Sequence, residues 1–484
     1  MGPGGREDRL IMTKKSYQSI ILSDLHLSDA EPEHPKNPLW KLFRQKQFYI
    51  DQEFEGLLDQ LLKQVEGPIE LILNGDIFDF DSVMSLPENG EFPYSAHERR
   101  RGLDSGQHKS VFKIQKILED HNIWVDALKR FLDHGHRIVF IIGNHDLELH
   151  WPKVQKKLIR TLGRDENECD SVVFCEWFYI CGDDTLVEHG NQYDPYCLCA
   201  NPINPLIIKK RKKIIVRLPF GNLANKYMVN GMGLKNPHSD QAYVMNLWGF
   251  VKYFFKYEVK VQPLLIWTWF TGALRTFFVY TLEGWLPPIK DPLSIEARIA
   301  KMAEKANSTP QKIRLLREFH AHPAAYKPFM VLRELWLDRA FFLIFILWGC
   351  FQFYSTSNLI IDVSGWWFFV PVFLCLPFFT YYASGVFSDV RAHAKEAEFK
   401  IPQLAKAMEV KRVIQGHTHI LANKLVGDVQ YINTGAWTPL FHDAECSKAY
   451  GRKPFAWITQ NADGTSSAEL HQWKDGKIIK IEQL

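Results

Sequence analysis

The sequence predicts a layered α/β protein carrying a large helical, membrane-associated insertion. Three observations predict it. From Tyr17 to Glu188 short apolar runs alternate with longer segments of helical period. Acidic and imidazole side chains follow directly on those apolar runs, at the strand ends where open α/β sheets bind ligands. Between Gly190 and Lys411 the chain changes character and includes two long stretches without charge.

In order along the chain, the runs SIILSD, IELILNGD and RIVFIIGNHD read as buried strands. Between them, Gln47–Val65 places Leu57, Leu58, Leu61, Leu62 and Val65 at helical spacing, and Ser110–Phe131 does so with Val111, Ile114, Ile117 and Leu118. Both read as amphipathic crossover helices. Strand-like order returns with KRVIQGHTHI, and VQYINTGAW, PFAWITQ, SAELHQW and KIIKIEQ close the chain as hairpin-connected strands. The domain organisation expected is an N-terminal extension (1–16), the first part of a core (17–190), a helical insertion or cap (191–338), a membrane hairpin (339–389) and the second part of the core (390–484).

Composition sets outer bounds. Of 484 residues, 46% are hydrophobic and 23% charged, and 58 Lys plus Arg against 55 Asp plus Glu leave a net charge of +3. A disordered chain, a collagen and a coiled coil are excluded. No nucleic acid is expected as a partner, because that needs a strongly basic face. The 8 cysteines form no Cys-x-x-Cys pair, so neither a zinc ribbon nor a disulfide framework is indicated. MGPGGREDRLIMTKK has no apolar core of a signal peptide, and Arg6 stands where N-myristoylation wants Ser or Thr. Translation from Met1 or from Met12 would leave the fold intact, since nothing before Tyr17 is needed.

In the insertion, Ala340–Ile361 and Val363–Ser388 carry no charge, with Asp362 between them. Each exceeds the roughly 20 helical residues that cross a hydrocarbon core. They read as a membrane hairpin; the alternative is a pair of helices buried in a soluble protein. Arg333, Arg339, Arg391 and Lys395 flank the outer ends, which places the catalytic domain on the cytoplasmic side. Val261–Leu274 and Thr276–Leu282 are shorter and interrupted at Arg275, as an interfacial or re-entrant element would be. A single further span is excluded if the site described next is real, because it would divide that site between two sides of a bilayer. The cluster Lys209, Lys210, Arg211, Lys212 and Lys213 suits either an anionic lipid surface or a solvated helix face.

Five short motifs carry the chemistry: Asp24-Leu25-His26, Gly75-Asp76-Ile77-Phe78-Asp79, Gly143-Asn144-His145-Asp146, His189-Gly190 and Gly416-His417-Thr418-His419. Their donors are oxygen and imidazole nitrogen without thiolate, which suits Mn, Fe or Zn. On an extended segment Asp24 and His26 project the same way, as do His417 and His419, so each pair can grip one metal. Glycines beside the donors fit tight turns and close backbone approach.

In these motifs and their order the sequence resembles the calcineurin-like metallophosphoesterase superfamily. The resemblance covers residues 17–190 and 411 to about 440, and implies two mixed β-sheets flanked by helices. It implies two divalent metal ions, Mn first and Fe or Zn as alternatives: Asp24, His26 and His419 on one, Asn144, His189 and His417 on the other, Asp76 bridging. His145 would act at the scissile phosphate. Two dications stabilise the attacking and leaving oxygens of an in-line displacement and lower the pKa of a bridging water. Asp79 and Asp146 read as residues that orient metal-bound imidazoles, or else as turn aspartates. Asp194 reads as a turn aspartate, and His320 and His322 as surface residues.

SDLHLS, YINTGAW and a helical insertion before GHTH are also similar to the UDP-2,3-diacylglucosamine pyrophosphohydrolase branch. His145 stands where that branch has Arg, and this insertion is far longer. The expected activity is hydrolysis of a phosphoester or diphosphate bond by a metal-activated hydroxide, on a lipid or membrane-linked substrate. Alternatives are a membrane-anchored phosphoprotein or nucleotide phosphatase, a nuclease, and, in another class, an inactive membrane scaffold.

Overall fold

The computed structural model describes residues 17–482 except 89, 166–169, 210–211, 235, 237, 239–246, 263, 288, 290–291, 387–397 and 461–464. The 1–16 extension, Lys210 and Arg211 of the basic cluster, and the flanking Arg391 and Lys395 therefore lie outside the described residues. The three apolar runs form strands β1 (Gln18–Leu22), β2 (Ile69–Asn74) and β3 (Arg137–Ile141), joined in parallel by β4 (Val172–Cys175). Ile20, Leu71, Ile138 and Val172 share one register row and point to one face of the sheet. The next row, Ile21, Ile72 and Val139, points to the other. Both faces are covered, so every position along these strands is apolar rather than every second one.

Four further strands precede the next stretch of core: β5 (Phe178–Cys181), β6 (Thr185–Glu188) and the short hairpin β7 (Leu206–Ile208) and β8 (Ile214–Val216). After the insertion come β9 (Arg412–Gln415), β10 (Ala422–Val426), β11 (Val429–Asn433), the small pair β12 (Leu440–Phe441) and β13 (Ala449–Tyr450), then β14 (Lys453–Gln460), β15 (Ser466–Lys474) and β16 (Lys477–Lys480). The first sheet runs β16-β15-β14-β1-β2-β3-β4 and the second β10-β11-β9-β6-β5. Ile21, Ile72 and Val139 of the first meet Val187, Ile414 and Ile432 of the second, so the two mixed sheets stack face to face.

Helices cover the outer faces. On the first sheet lie α1 (Asp51–Gln64), α3 (Gln107–Asp120), α4 (Asn122–Asp133) and α5 (Pro152–Thr161), while the short α2 (Ala96–Arg101) sits at the rim. The sequence expectation of one helix over Ser110–Phe131 is corrected to two. His121 leaves helical geometry (φ −105°, ψ 45°) because its ring is held between Asp51 Oδ1 at 2.8 Å and the Ser28 carbonyl at 2.9 Å.

Part of the insertion belongs to the body. Helices Pro292–Lys305, Pro310–Glu318 and Ile401–Met408 bury Ile299, Met302, Ile313, Leu316 and Leu404 against Leu186, Val413 and Tyr431 of the second sheet. They form the fourth layer of a helix–sheet–sheet–helix stack. Leu265–Gly284 is one helix that continues through Arg275, since that side chain is exposed and costs the helix nothing. One face buries Gly272, Ala273, Thr276 and Tyr280, while Ile266, Trp267, Phe278 and Leu282 face outward.

Among the described residues two helices are long and apolar enough to cross a membrane, Leu337–Ile360 and Gly365–Gly385, each with mean hydropathy 1.5. They pack against each other through Phe342, which meets Phe379 and Tyr382. Core helices would be buried, yet only 6% of each apolar window is. At their base Arg339 donates to the carbonyls of Arg333 at 2.9 Å and Val386 at 3.1 Å, and Tyr382 Oη donates to Asp338 at 2.8 Å.

Candidate metal centre

The motif residues converge at the C-terminal ends of β1, β2, β3, β6 and β9. Parallel pairing of β6 with β9 (Leu186 opposite Val413) returns the chain to the same edge after the whole insertion, and so sets His189 beside His417. Among the described residues five trios place one donor atom each within 4.8 Å of one another; two are Asp24, His26 and His419, and Asp76, His189 and His417, and the others are His26, His145 and His238, Asp194, Cys197 and His417, and Asp79, Asp81 and His145. Asp24 Oδ1 lies 3.2 Å from His419 Nε2, and His26 Nε2 lies 3.3 Å from His419 Nε2. Asp76 Oδ2 sits between the first two trios, 3.1 Å from His189 Nε2 and 4.0 Å from His26 Nε2.

The extended geometry expected for Asp24-His26 and His417-His419 is not what brings them together. Their φ angles are 57°, 51°, 66° and 58°, and Asp76 has 52°, all left-handed. Such a conformation costs a non-glycine residue roughly 1–3 kcal/mol and persists where surrounding contacts over-determine it. Here they do: Asp24 N donates to Gly75 O, its carbonyl accepts from Trp437 N and Thr438 N, and His417 N donates to Asp24 Oδ2 at 3.1 Å. At Gly143 a Cβ would collide with Asp76 Oδ1, so only glycine admits that carboxylate.

Several buried donor atoms have no hydrogen-bond partner: Asp24 Oδ1, His26 Nδ1, Asn144 Oδ1 and His189 Nε2. A buried polar atom left unmatched costs about 1–3 kcal/mol, so such a group of them in one place fits a cation. His189 Nδ1 is 3.0 Å from the Asn74 carbonyl, which can only accept. That bond fixes the ring's orientation. Burial opposes charge on His189, but Asp76 and Asp24 push its pKa up to about 9. Burial likewise works against ionised Asp76, and His189 and His145 nevertheless hold it well below the carboxylate range. The pocket is organised for positive charge next to Asp76.

His145 stands at the same rim. Its Nδ1 is 3.2 Å from Asp79 Oδ1 and 3.7 Å from Asp81 Oδ2, and its backbone N–H donates to Asp76 Oδ1 at 2.8 Å. Burial opposes its charged form, and Asp76 and Asp79 nevertheless push its pKa up to about 10. Asp79 also accepts from Ser82 Oγ. Of its two readings Asp146 fits the turn aspartate, and among the described residues it bonds to no imidazole. Its Oδ1 accepts from Gly143 N at 2.6 Å and its Oδ2 from Ile77 N at 2.9 Å, clamping the two ligand-bearing loops together. Burial and then Asp76 push it up to about 7.

Two residues, His238 and Asn222, escaped the sequence reading, in which a third, Asp194, is only a turn aspartate. His238, from the insertion, stacks on His26 with ring centroids 3.6 Å apart, meets Asp79 Oδ2 through Nε2 at 3.0 Å, and lends its carbonyl to His419 Nδ1 at 3.2 Å. Asn222 donates to the Asn144 carbonyl at 2.8 Å and to Asp81 Oδ2. Asp194 makes the expected turn bond to Tyr196 N at 2.8 Å, but its Oδ2 also lies 3.2 Å from His417 Nε2. No motif marks any of them, because each reaches the site through tertiary packing. His322 is exposed as expected; His320 is not a surface residue but packs on Trp177, with centroids 4.3 Å apart.

The calcineurin-like phosphoesterase family model matches residues 18–214. That stretch is a calcineurin-like phosphoesterase domain and indicates a metal-dependent phosphoester hydrolase. The match ends before His417 and His419, which the fold supplies from beyond the insertion. No curated protein matches the chain.

Proposed function

We propose that the protein is a membrane-anchored phosphoesterase that cleaves a phosphoester or diphosphate bond on a lipid or membrane-linked substrate. One observation carries the reading. The segment Phe220–Met232 turns Asn222 towards the metal centre, while its other face, Phe220, Leu223 and Tyr227, packs on Ala273 and Tyr280 of the Leu265–Gly284 helix in a cluster that reaches Leu337 at the root of the apolar hairpin. One short element thus touches both the site and the apolar part. The β6–β9 pairing supports an even number of crossings, and Arg333 and Arg339 at the hairpin base support a cytoplasmic catalytic face.

Asp24, His26 and His419 would hold one cation and Asn144, His189 and His417 the other, with Asp76 shared. The cations would supply Lewis acidity and lower the pKa of bound water. His145, whose Nδ1 lies 3.2 Å from Asp79, is placed to contact the phosphoryl oxygens and, when protonated, to donate a proton to the leaving oxygen. His238 and Asn222 hold Asp79 and Asn144 in register. An anchor at the bilayer supplies proximity to a substrate that never leaves it. The motif likeness to UDP-diacylglucosamine pyrophosphohydrolases makes a nucleotide-activated lipid one member of the panel to test.

The test is hydrolysis by detergent-solubilised protein with Mn, comparing a soluble chromogenic diester with membrane lipid phosphates and diphosphates. Cleavage of one lipid class is expected, and Asp76→Ala should reduce turnover by about three orders of magnitude, the equivalent of several kcal/mol. Turnover of the soluble diester alone would sink the lipid assignment; a folded, metal-loaded Asp76→Ala with normal activity would sink the site.

A further inference from the structure

Away from the metal centre, α2, the Phe220–Met232 segment and the Leu265–Gly284 helix enclose an open pocket of about 470 Å3. Arg100, Arg101, Arg275 and His97 line it, over Tyr227 and Trp267. Among the described residues no carboxylate forms an ion pair with Arg100, Arg101 or Arg275. Some arginines elsewhere are paired, Arg130 with Glu55, Arg164 with Asp133 and Arg314 with Glu296, and what distinguishes Arg100, Arg101 and Arg275 is that they line one pocket together. Three like charges gathered with no directly paired carboxylate among the described residues repel one another and favour an anion between them.

The pocket is also shaped in advance. The guanidinium of Arg101 lies in a notch that exists only because position 231 is glycine, since a Cβ there would collide with Arg101 Nη1. Burial and then Arg100 press the Arg101 pKa down, a penalty that a bound anion relieves. Arg275 lies near the Tyr227 ring, 5.8 Å from its centroid.

Its surroundings identify the kind of anion. Leu264, Trp267, Phe278, Leu282 and Trp285 recur at helical spacing on the exposed face of the Leu265–Gly284 helix, and Arg275 stands in the middle of that apolar stripe. A cation in the centre of an exposed apolar face suits the headgroup level of a bilayer, with phosphate on the arginines and hydrocarbon along the stripe. We infer that this pocket binds the phosphate of an anionic membrane lipid, at a site separate from the metal centre. The inference rests on the membrane placement proposed above, but not on the hydrolytic activity.

The test titrates full-length, metal-loaded protein in detergent with short-chain phosphatidic acid, short-chain phosphatidylcholine and inorganic phosphate, read by native mass spectrometry. Turnover of the soluble diester reports the metal centre in parallel. Saturable phosphatidic acid binding is expected, with phosphatidylcholine and inorganic phosphate at least about tenfold weaker. Arg275→Gln, at an exposed position, should weaken it about tenfold, the loss of one charge-assisted contact, with diester turnover unchanged. Gly231→Ala keeps every charge but displaces Arg101, and should weaken binding similarly. Wild-type affinity in both variants would overturn the pocket, and inorganic phosphate binding as tightly as the lipid would overturn the lipid assignment. Arginine-dependent lipid binding in a chain that hydrolyses nothing would still support the pocket while removing the enzymatic reading.

Discussion

The metal centre and the apolar hairpin are unsatisfied in opposite senses. At the centre, Asp24 Oδ1, Asn144 Oδ1 and His189 Nε2 are buried without a hydrogen-bond partner. On the hairpin, apolar side chains are exposed without cover, with Phe353, Phe373 and Phe378 each about 70% accessible (67%, 67% and 73%). A folded chain tolerates neither condition cheaply, since an unmatched buried polar atom and a bare apolar surface each cost free energy. On the function proposed above, each region is completed from outside the chain, one by cations and the other by hydrocarbon. The arginine pocket, whose arginines form no ion pair with a carboxylate among the described residues, is the third such region on the inference above, with an anion as its complement.

Substitutions that reverse one condition should leave the other intact, and the largest effect tests the hairpin. Ile344→Arg places a charge on an exposed face of the first apolar helix, which should oppose insertion by about 3 kcal/mol and release protein on alkaline extraction of membranes. Diester hydrolysis in detergent should not change; a fall with it would mean that the hairpin supports the fold of the centre. His145→Gln keeps a polar side chain but loses the imidazole beside Asp79 and Asp81, and turnover should fall about a hundredfold with metal content unchanged. Loss of metal instead would reassign His145 to ligation. The smallest effect is expected from His238→Gln, about tenfold in turnover or metal affinity, because His238 acts through Asp79 and His26. An unchanged enzyme would show that the insertion contributes nothing to the site.

How much of this is visible in the sequence depends on whether the signal is local. Strands β1 to β3 stand out because burial on both faces demands uninterrupted apolar runs. The donors Asp24, Asp76, Asn144 and His189 stand out because each follows such a run or sits in a Gly-containing motif. Asp146 allows two readings in the sequence, an imidazole partner or a turn aspartate, and only its bonds to two backbone N–H groups of neighbouring loops decide for the second. His121 looks like one residue in a helical pattern, and only its bonds to Asp51 and Ser28 break the helix there.

By itself the sequence determined the layered α/β class, the five motifs in order and the two charge-free stretches, because these follow from periodicity, spacing and length along one chain. Only the tertiary structure decided the left-handed backbone that aims Asp24, His26, Asp76, His417 and His419 inward, since that conformation is imposed by contacts between separate loops. Likewise it decided that Pro292–Lys305 and Pro310–Glu318 are a core layer and that His238 and Asn222 complete the site. Contacts between residues far apart in the chain leave no periodic trace; they exist only when β6 pairs with β9 and the insertion folds back over the strand ends.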